Sequence, residues 1–160
     1  MSITAKQAVN DTTLTTSFPL PVMRNFSSSN GSKAQVVEAL KIVVQFPTGS
    51  LLSNASTRAI VAFSTKNHAA VVTSLADADT FAVIGYENEL ATNGGVSVPV
   101  TQTFDFTDGM GNGILLATDN IFVQVQSANT ATLTTISAKL FYRIYSATVT
   151  EYVGIVQSQQ

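Results

Sequence analysis

The residues able to do chemistry in this 160-residue chain are few and scattered. There is no cysteine, which removes thiolate metal sites, disulfides and a cysteine nucleophile together. The single histidine, His68, falls in a polar turn, Thr65-Lys-Asn-His, with no acid beside it in sequence. A Ser-His-Asp group assembles in space, not in sequence, but no Gly-x-Ser-x-Gly elbow presents a serine here. A metal enzyme of the cupin kind requires clustered histidines, and one histidine does not supply them. The expectation is that the chain is not an enzyme.

Carboxylates offer more. Asp105 and Asp108 share one loop, Asp119 follows about ten residues on, and Asp77 and Asp79 make a second local pair. Oxygen-rich groups of this kind hold Ca²⁺, above all where two subunits each give part of the coordination shell. The same residues are also what turns select, because an Asp side chain accepts hydrogen bonds from nearby backbone amides. Asp105, Asp108 and Asp119 are therefore candidate Ca²⁺ ligands, with turn formation as the competing role; no other cofactor is expected. Gly109, Gly111 and Gly113 look like a phosphate cradle only in composition, since a strand and not a helix follows them.

Basic residues number eight against ten acids, a net charge of −2, too little for strong indiscriminate nucleic-acid binding. Lys6, Arg24 and Lys33 nevertheless fall within the first 33 residues with one acid, Asp11, which makes that segment mildly basic. They are the candidate contacts to a weakly bound genomic single strand.

The elements that must position these groups read as strands. Apolar residues make up 45% of the chain and charged ones only 11%, against roughly 25% in ordinary soluble domains, with Thr, Ser, Asn and Gln in their place. Residues 1–33, with a candidate short strand at Asp11–Thr16, Pro19, Pro21 and a Ser-rich stretch, are expected to form a partly flexible arm, and residues 34–160 one compact domain. Val36, Leu40, Ile42, Val44 and Phe46 alternate with Val37, Ala39, Lys41, Val43 and Gln45, predicting a long strand whose apolar face is broken by Glu38. An unpaired buried carboxylate is costly, which puts Glu38 at a sheet end or between subunits. Further strands are expected at Arg58–Ser64, Ala69–Ser74, Thr80–Tyr86, Val96–Thr101, Ile114–Thr118, Ile121–Gln126, Thr132–Tyr145 and Val149–Gln157. Only Ala34–Leu40 and Ser74–Ala78 offer short helical alternatives. No repeat is visible, and no run approaches the ~18 apolar residues of a membrane span. The fold class is all-β, a single antiparallel sandwich of about eight strands.

Two stretches resemble a known family. Thr107-Asp-Gly-Met-Gly-Asn-Gly-Ile-Leu-Leu-Ala-Thr-Asp-Asn-Ile121 and the tail, Tyr142-Arg143 with Glu151-Tyr-Val-Gly-Ile-Val-Gln-Ser-Gln159, are similar to the small coat proteins of circular, replication-initiator-encoding single-stranded DNA viruses. Val36-Val-Glu-Ala-Leu-Lys-Ile42 resembles the first barrel strand of that group. Those proteins are in turn similar to satellite plant virus coat proteins. The resemblance implies an eight-stranded jelly roll, a homo-oligomer of many identical subunits closing an icosahedral capsid, and a place in the virion after assembly in the host cell. It also implies an assembly role for the tail, with Arg143, Glu151, Tyr152, Gln157 and Gln159 as interface candidates and Arg143 paired to Glu151 or to an acid on a neighbour. The chain departs from the family in having no arginine-rich arm. A lectin-like, carbohydrate-binding sandwich in a small oligomer is the alternative; it usually exposes aromatics, and here there is no Trp and the Phe and Tyr residues fall mostly within expected strands. Neither a membrane nor a small-molecule substrate is expected as partner.

Overall fold

The computed structural model describes residues 2–9, 13–21, 23–25, 33–46, 57–70, 74–88, 100–128 and 134–159. They form ten strands and one helix: β1 (Ser2–Val9), β2 (Thr13–Pro19), β3 (Met23–Asn25), β4 (Lys33–Phe46), β5 (Thr57–Ser64), β6 (Thr80–Asn88), β7 (Val100–Asp105), β8 (Ile114–Leu116), β9 (Asn120–Ala128), β10 (Thr134–Thr148) and α1 (Val149–Ser158). All neighbours pair antiparallel.

The ten strands occupy eight lanes. In the first sheet β10 lies between β1 and β4, and it covers one edge of β4 from Lys33 to Gln45. A strand has only two edges, so β3, β8 and β7 share the other end to end, opposite residues 33–35, 37–39 and 41–46 of β4. The second sheet runs β2-β9-β5-β6. Each sheet places an early strand beside a late one, β1 with β10 and β2 with β9, which is the winding of a jelly roll. The core lies between the sheets: Val37, Ile42, Val44 and Leu140 from the first meet Val61, Phe63, Val123 and Val125 from the second. A chain of rings, Phe63–Phe81–Phe106–Phe104, joins the layers with centroids 5.2–6.2 Å apart.

The stretch expected to be an arm enters both sheets, since β1, β2 and β3 all lie within residues 1–33. Its Thr-rich composition is strand composition. Of the expected strand at 69–74, Ala69 and Ala70 are bends, Ser74 is irregular and 71–73 lie outside the described residues. The strand expected at 96–101 is observed from Val100 onward, with 96–99 outside the description, and continues to Asp105. Both short helical alternatives fail: 34–40 is part of β4, and 75–79 is a run of turns.

The last expected strand is a helix. Thr148 and Glu151 form a capping box: the Thr148 hydroxyl accepts from the Glu151 amide, and the Glu151 carboxylate accepts from the Thr148 amide at 2.8 Å. The adjacent apolar pairs Tyr152-Val153 and Ile155-Val156 have the 3.6-residue period, not the two-residue one. Replacing Thr148 by Ala removes the cap and is expected to cost about 1 kcal/mol, read as faster amide hydrogen exchange in 150–154 with the strands unchanged.

Candidate assembly surface

The site grows from an irregularity in β4. Between Phe141 and Tyr142 of β10 the partner residue jumps from Lys41 to Ala39, so Leu40 is an extra residue on β4. A bulge of this kind reverses the phase of alternation. Ile42, Val44 and Phe46 point into the core, as do Val37 and Ala39, whereas Val36 and Glu38 take the outward phase. The difficulty of Glu38 on an apolar face disappears, because the face changes sides at Leu40.

The bulge meets a loop. Residues 106–113 leave the lane that β7 and β8 share, and the Phe106 amide donates to the Leu40 carbonyl at 2.9 Å. At the other end of the loop the Gly113 amide donates to Glu38 Oε1 at 2.7 Å. No side chain fits at Gly113, where an added Cβ would stand 2.0 Å from the Ala39 carbonyl oxygen. Between these anchors Asp108 holds the turn: Oδ1 accepts from the amides of Met110 at 2.9 Å and Asn112 at 3.1 Å, and Oδ2 from the Asn112 side chain. Gly109 and Gly111 carry φ of +80° and +87°. Met110 at the tip is 88% exposed.

Glu38 is buried, only 3% exposed, yet fully served. Arg143, its cross-strand partner, donates through Nε to Oε2 and through Nη2 to Oε1, the latter at 2.8 Å, while remaining half exposed itself. The guanidinium hydrogen bonds, helped by the Gly113 amide and opposed by burial, hold the Glu38 carboxyl below its ordinary pKa. The same pair raises that of Arg143. Arg143 is thus bound to Glu38, whereas the sequence reading paired it with Glu151 or with an acid on a neighbouring copy; Glu151 is engaged by the helix cap.

The helix covers the outward end of the first sheet. Tyr152, Ile155 and Val156, all half-buried, pack with Leu115 on Val36, Ala117 and Ala147. The Gln159 side-chain amide imitates a neighbouring strand: its Nε2 donates to the Leu115 carbonyl, and its Oε1 accepts from the Ala117 amide at 3.2 Å. Gln157 is exposed, as are Val149 and Val153 on the far side of the helix. Of the five tail and β10 candidates, Arg143, Tyr152 and Gln159 are engaged inside the chain, Glu151 caps the helix, and Gln157 faces outward.

The candidate calcium ligands are not brought together: among the described residues no three acidic or histidine side chains converge as a metal site requires. Asp105 and Asp108 lie in turns instead. Asp105 Oδ1 accepts from the Thr107 amide and hydroxyl, at 2.8 and 2.7 Å, and these bonds lower its pKa. Those from the Asn112 side chain and from the Asn112 and Met110 amides do the same for Asp108. The backbone carbonyl of Asp119 accepts from the Leu20 amide. His68, at the other end of the molecule's β5–β6 connection, has Asp79 nearby after all, with Nε2 3.2 Å from Oδ1, and Lys66 flanks the same carboxylate at 3.6 Å. Of the candidate nucleic-acid contacts, Lys33 is exposed, while Lys6 and Arg24 are placed by backbone register opposite Ser137 and Ala34.

Strand order and layering together define a jelly roll. The chain is similar to VP1 of human polyomavirus 12 in complex with 3'-sialyllactosamine, with 11% identity over 92% of this chain and 99% of that one and a TM-score of 0.54. It is similar to the VP1 pentamer of human polyomavirus 7, with 11% identity over 92% and 95% and a TM-score of 0.53. VP1 of trichodysplasia spinulosa-associated polyomavirus with 3'-sialyllactose gives 0.55, at 11% identity over 85% and 78%. At such identities the likeness is one of fold. No family model and no curated protein matches the chain.

Proposed function

We propose that this chain is a viral coat subunit that associates with copies of itself into an icosahedral shell enclosing a genome, and that it resides in the virion. The observation that carries the reading is the complete eight-lane jelly roll, shared over nine-tenths of the chain with capsid proteins, two of them described as pentamers. The low charge supports it as well, since interface cores are depleted of charged residues. The sequence resemblance to coat proteins of circular single-stranded DNA viruses narrows the reading to that group. Arg143, Glu151, Tyr152, Gln157 and Gln159 then act at the interface in two ways. Four of them set the position of α1 and β10, and Gln157 lies on the exposed side of the helix beside Val149 and Val153.

Purified protein is expected to form uniform particles of many copies in negative-stain electron microscopy and to elute as such from a sizing column. Truncation after Thr148 is expected to abolish the particles while leaving the strand signal in circular dichroism. A small oligomer that binds glycans would favour the lectin alternative, and a monodisperse monomer at high concentration would end the coat reading.

A further inference from the structure

Sorting the basic residues by face changes the meaning of the net charge. Among the described side chains, Lys41, Lys139 and Arg143 lie on the outward phase of the first sheet and are exposed. Two of the ten acids, Glu38 and Asp105, share that phase on its strands. Glu38 is neutralised by Arg143, which leaves Lys41 and Lys139 against Asp105, the residue opposite Lys41. α1 brings Glu151 over one end of the face, where the helix cap holds it. Lys33, on the opposite phase with Gln35 and Val37, does not belong to the group.

Along β10 the outward residues are Lys139, Phe141, Arg143 and Tyr145, a cation and a ring in alternation, repeating at roughly 6.8 Å. Lys139, Arg143 and Tyr145 are exposed and Phe141 is half-buried. Lys41 reaches across from β4, its Nζ 4.8 Å from the centre of the Phe141 ring. Cations attract a phosphate chain, and exposed rings stack on bases whose faces are free, as they are in a single strand and not in a duplex.

We infer that the outward face of the first sheet binds single-stranded nucleic acid, with Lys139, Phe141 and Lys41 at its centre. In its biological setting the inference rests on the coat-protein reading: the genome is gripped by a sheet face and not by an arginine-rich arm. The contact is local, two lysines beside one ring, so a net charge of −2 does not oppose it.

The test is fluorescence anisotropy of a labelled oligo-dT with the full chain over a range of salt concentrations. The Lys41→Gln/Lys139→Gln variant is expected to flatten the log–log salt dependence by about 1.4, two phosphate contacts at roughly 0.7 each. Phe141→Leu is expected to weaken binding roughly tenfold with the slope unchanged, and Phe141→Tyr to restore it. Arg58→Gln, on the second sheet, should bind like the parent. The inference is overturned if oligo-dT does not bind, if the double lysine variant binds like the parent, or if a duplex or heparin binds equally well and Phe141→Leu changes nothing. Micrographs of the same samples separate the two readings. Particles without oligonucleotide binding overturn this inference alone, and binding by dispersed subunits that never form particles overturns the shell alone.

Discussion

Gly113→Ala is expected to lower stability by about 3 kcal/mol or more, as overpacking against a backbone that has nowhere to move. The added methyl would stand 2.0 Å from the Ala39 carbonyl oxygen and crowd Leu40, and Ala39 is fixed by its place inside the first sheet. The chain cannot yield on the loop side without giving up the Gly113–Glu38 hydrogen bond. In urea the midpoint should fall with little change of slope, and soluble yield should drop. Gly109→Ala and Gly111→Ala provide the comparison. Both glycines have positive φ, but nothing lies within 4 Å of an added Cβ, so each should cost only the backbone strain, roughly 1 kcal/mol. Equal losses at all three positions would disprove the tight seat of residue 113.

The second large effect is an asymmetry within the Glu38–Arg143 pair. Glu38→Leu leaves the Gly113 amide without its acceptor, a loss of about 2 kcal/mol, while the half-exposed Arg143 turns to water. Arg143→Met is expected to be the more damaging change, because it leaves a charged carboxylate buried with one amide for company. Making both replacements should recover stability over Arg143→Met alone, since the charge that suffers is gone.

The contribution of Glu38 to the pH dependence should change sign between these proteins. In the parent, Glu38 has a folded pKa below the unfolded value, so its contribution is complete above about 4.5 and is lost as pH falls through the folded value. Asp105, Asp108 and Glu151 are lowered too and add to the same acid-side loss. In Arg143→Met, burial raises the pKa of Glu38, and acidification removes a penalty instead of a benefit. Denaturation midpoints of the two proteins should therefore converge as the pH is lowered. Parallel curves would show that the pair carries no charge coupling.

Much of the sandwich was legible because alternation survives wherever a strand has one dry face. The strands at 58–64, 80–86 and 121–126 were read within two residues of their observed ends. β4 was found but phased wrongly, since a single inserted residue at Leu40 is invisible to periodicity until the partner strand is known. Glu38 was the available signal: a carboxylate in an apolar run marks either a fault in the pattern or a partner far along the chain, and here it marks both. Gln102, Phe104 and Phe106 alternate with Thr101, Thr103 and Asp105, a strand signal that was present but masked by the proline before it. The tail was misread as a strand because its apolar residues were taken one by one. Thr148-x-x-Glu151 was the helix signal in plain view. The acids that suggested a metal site were turn residues, and type and spacing alone do not distinguish those roles.

The winding bears on how the fold is made. β10 fills the gap between β1 and β4, and β9 the gap between β2 and β5, so on the ribosome the early strands wait beside empty lanes until residues 120–148 have been synthesised. Pairings this distant are slow to form. A nascent chain therefore cannot complete either layer before those residues join it, and the two layers close late and together.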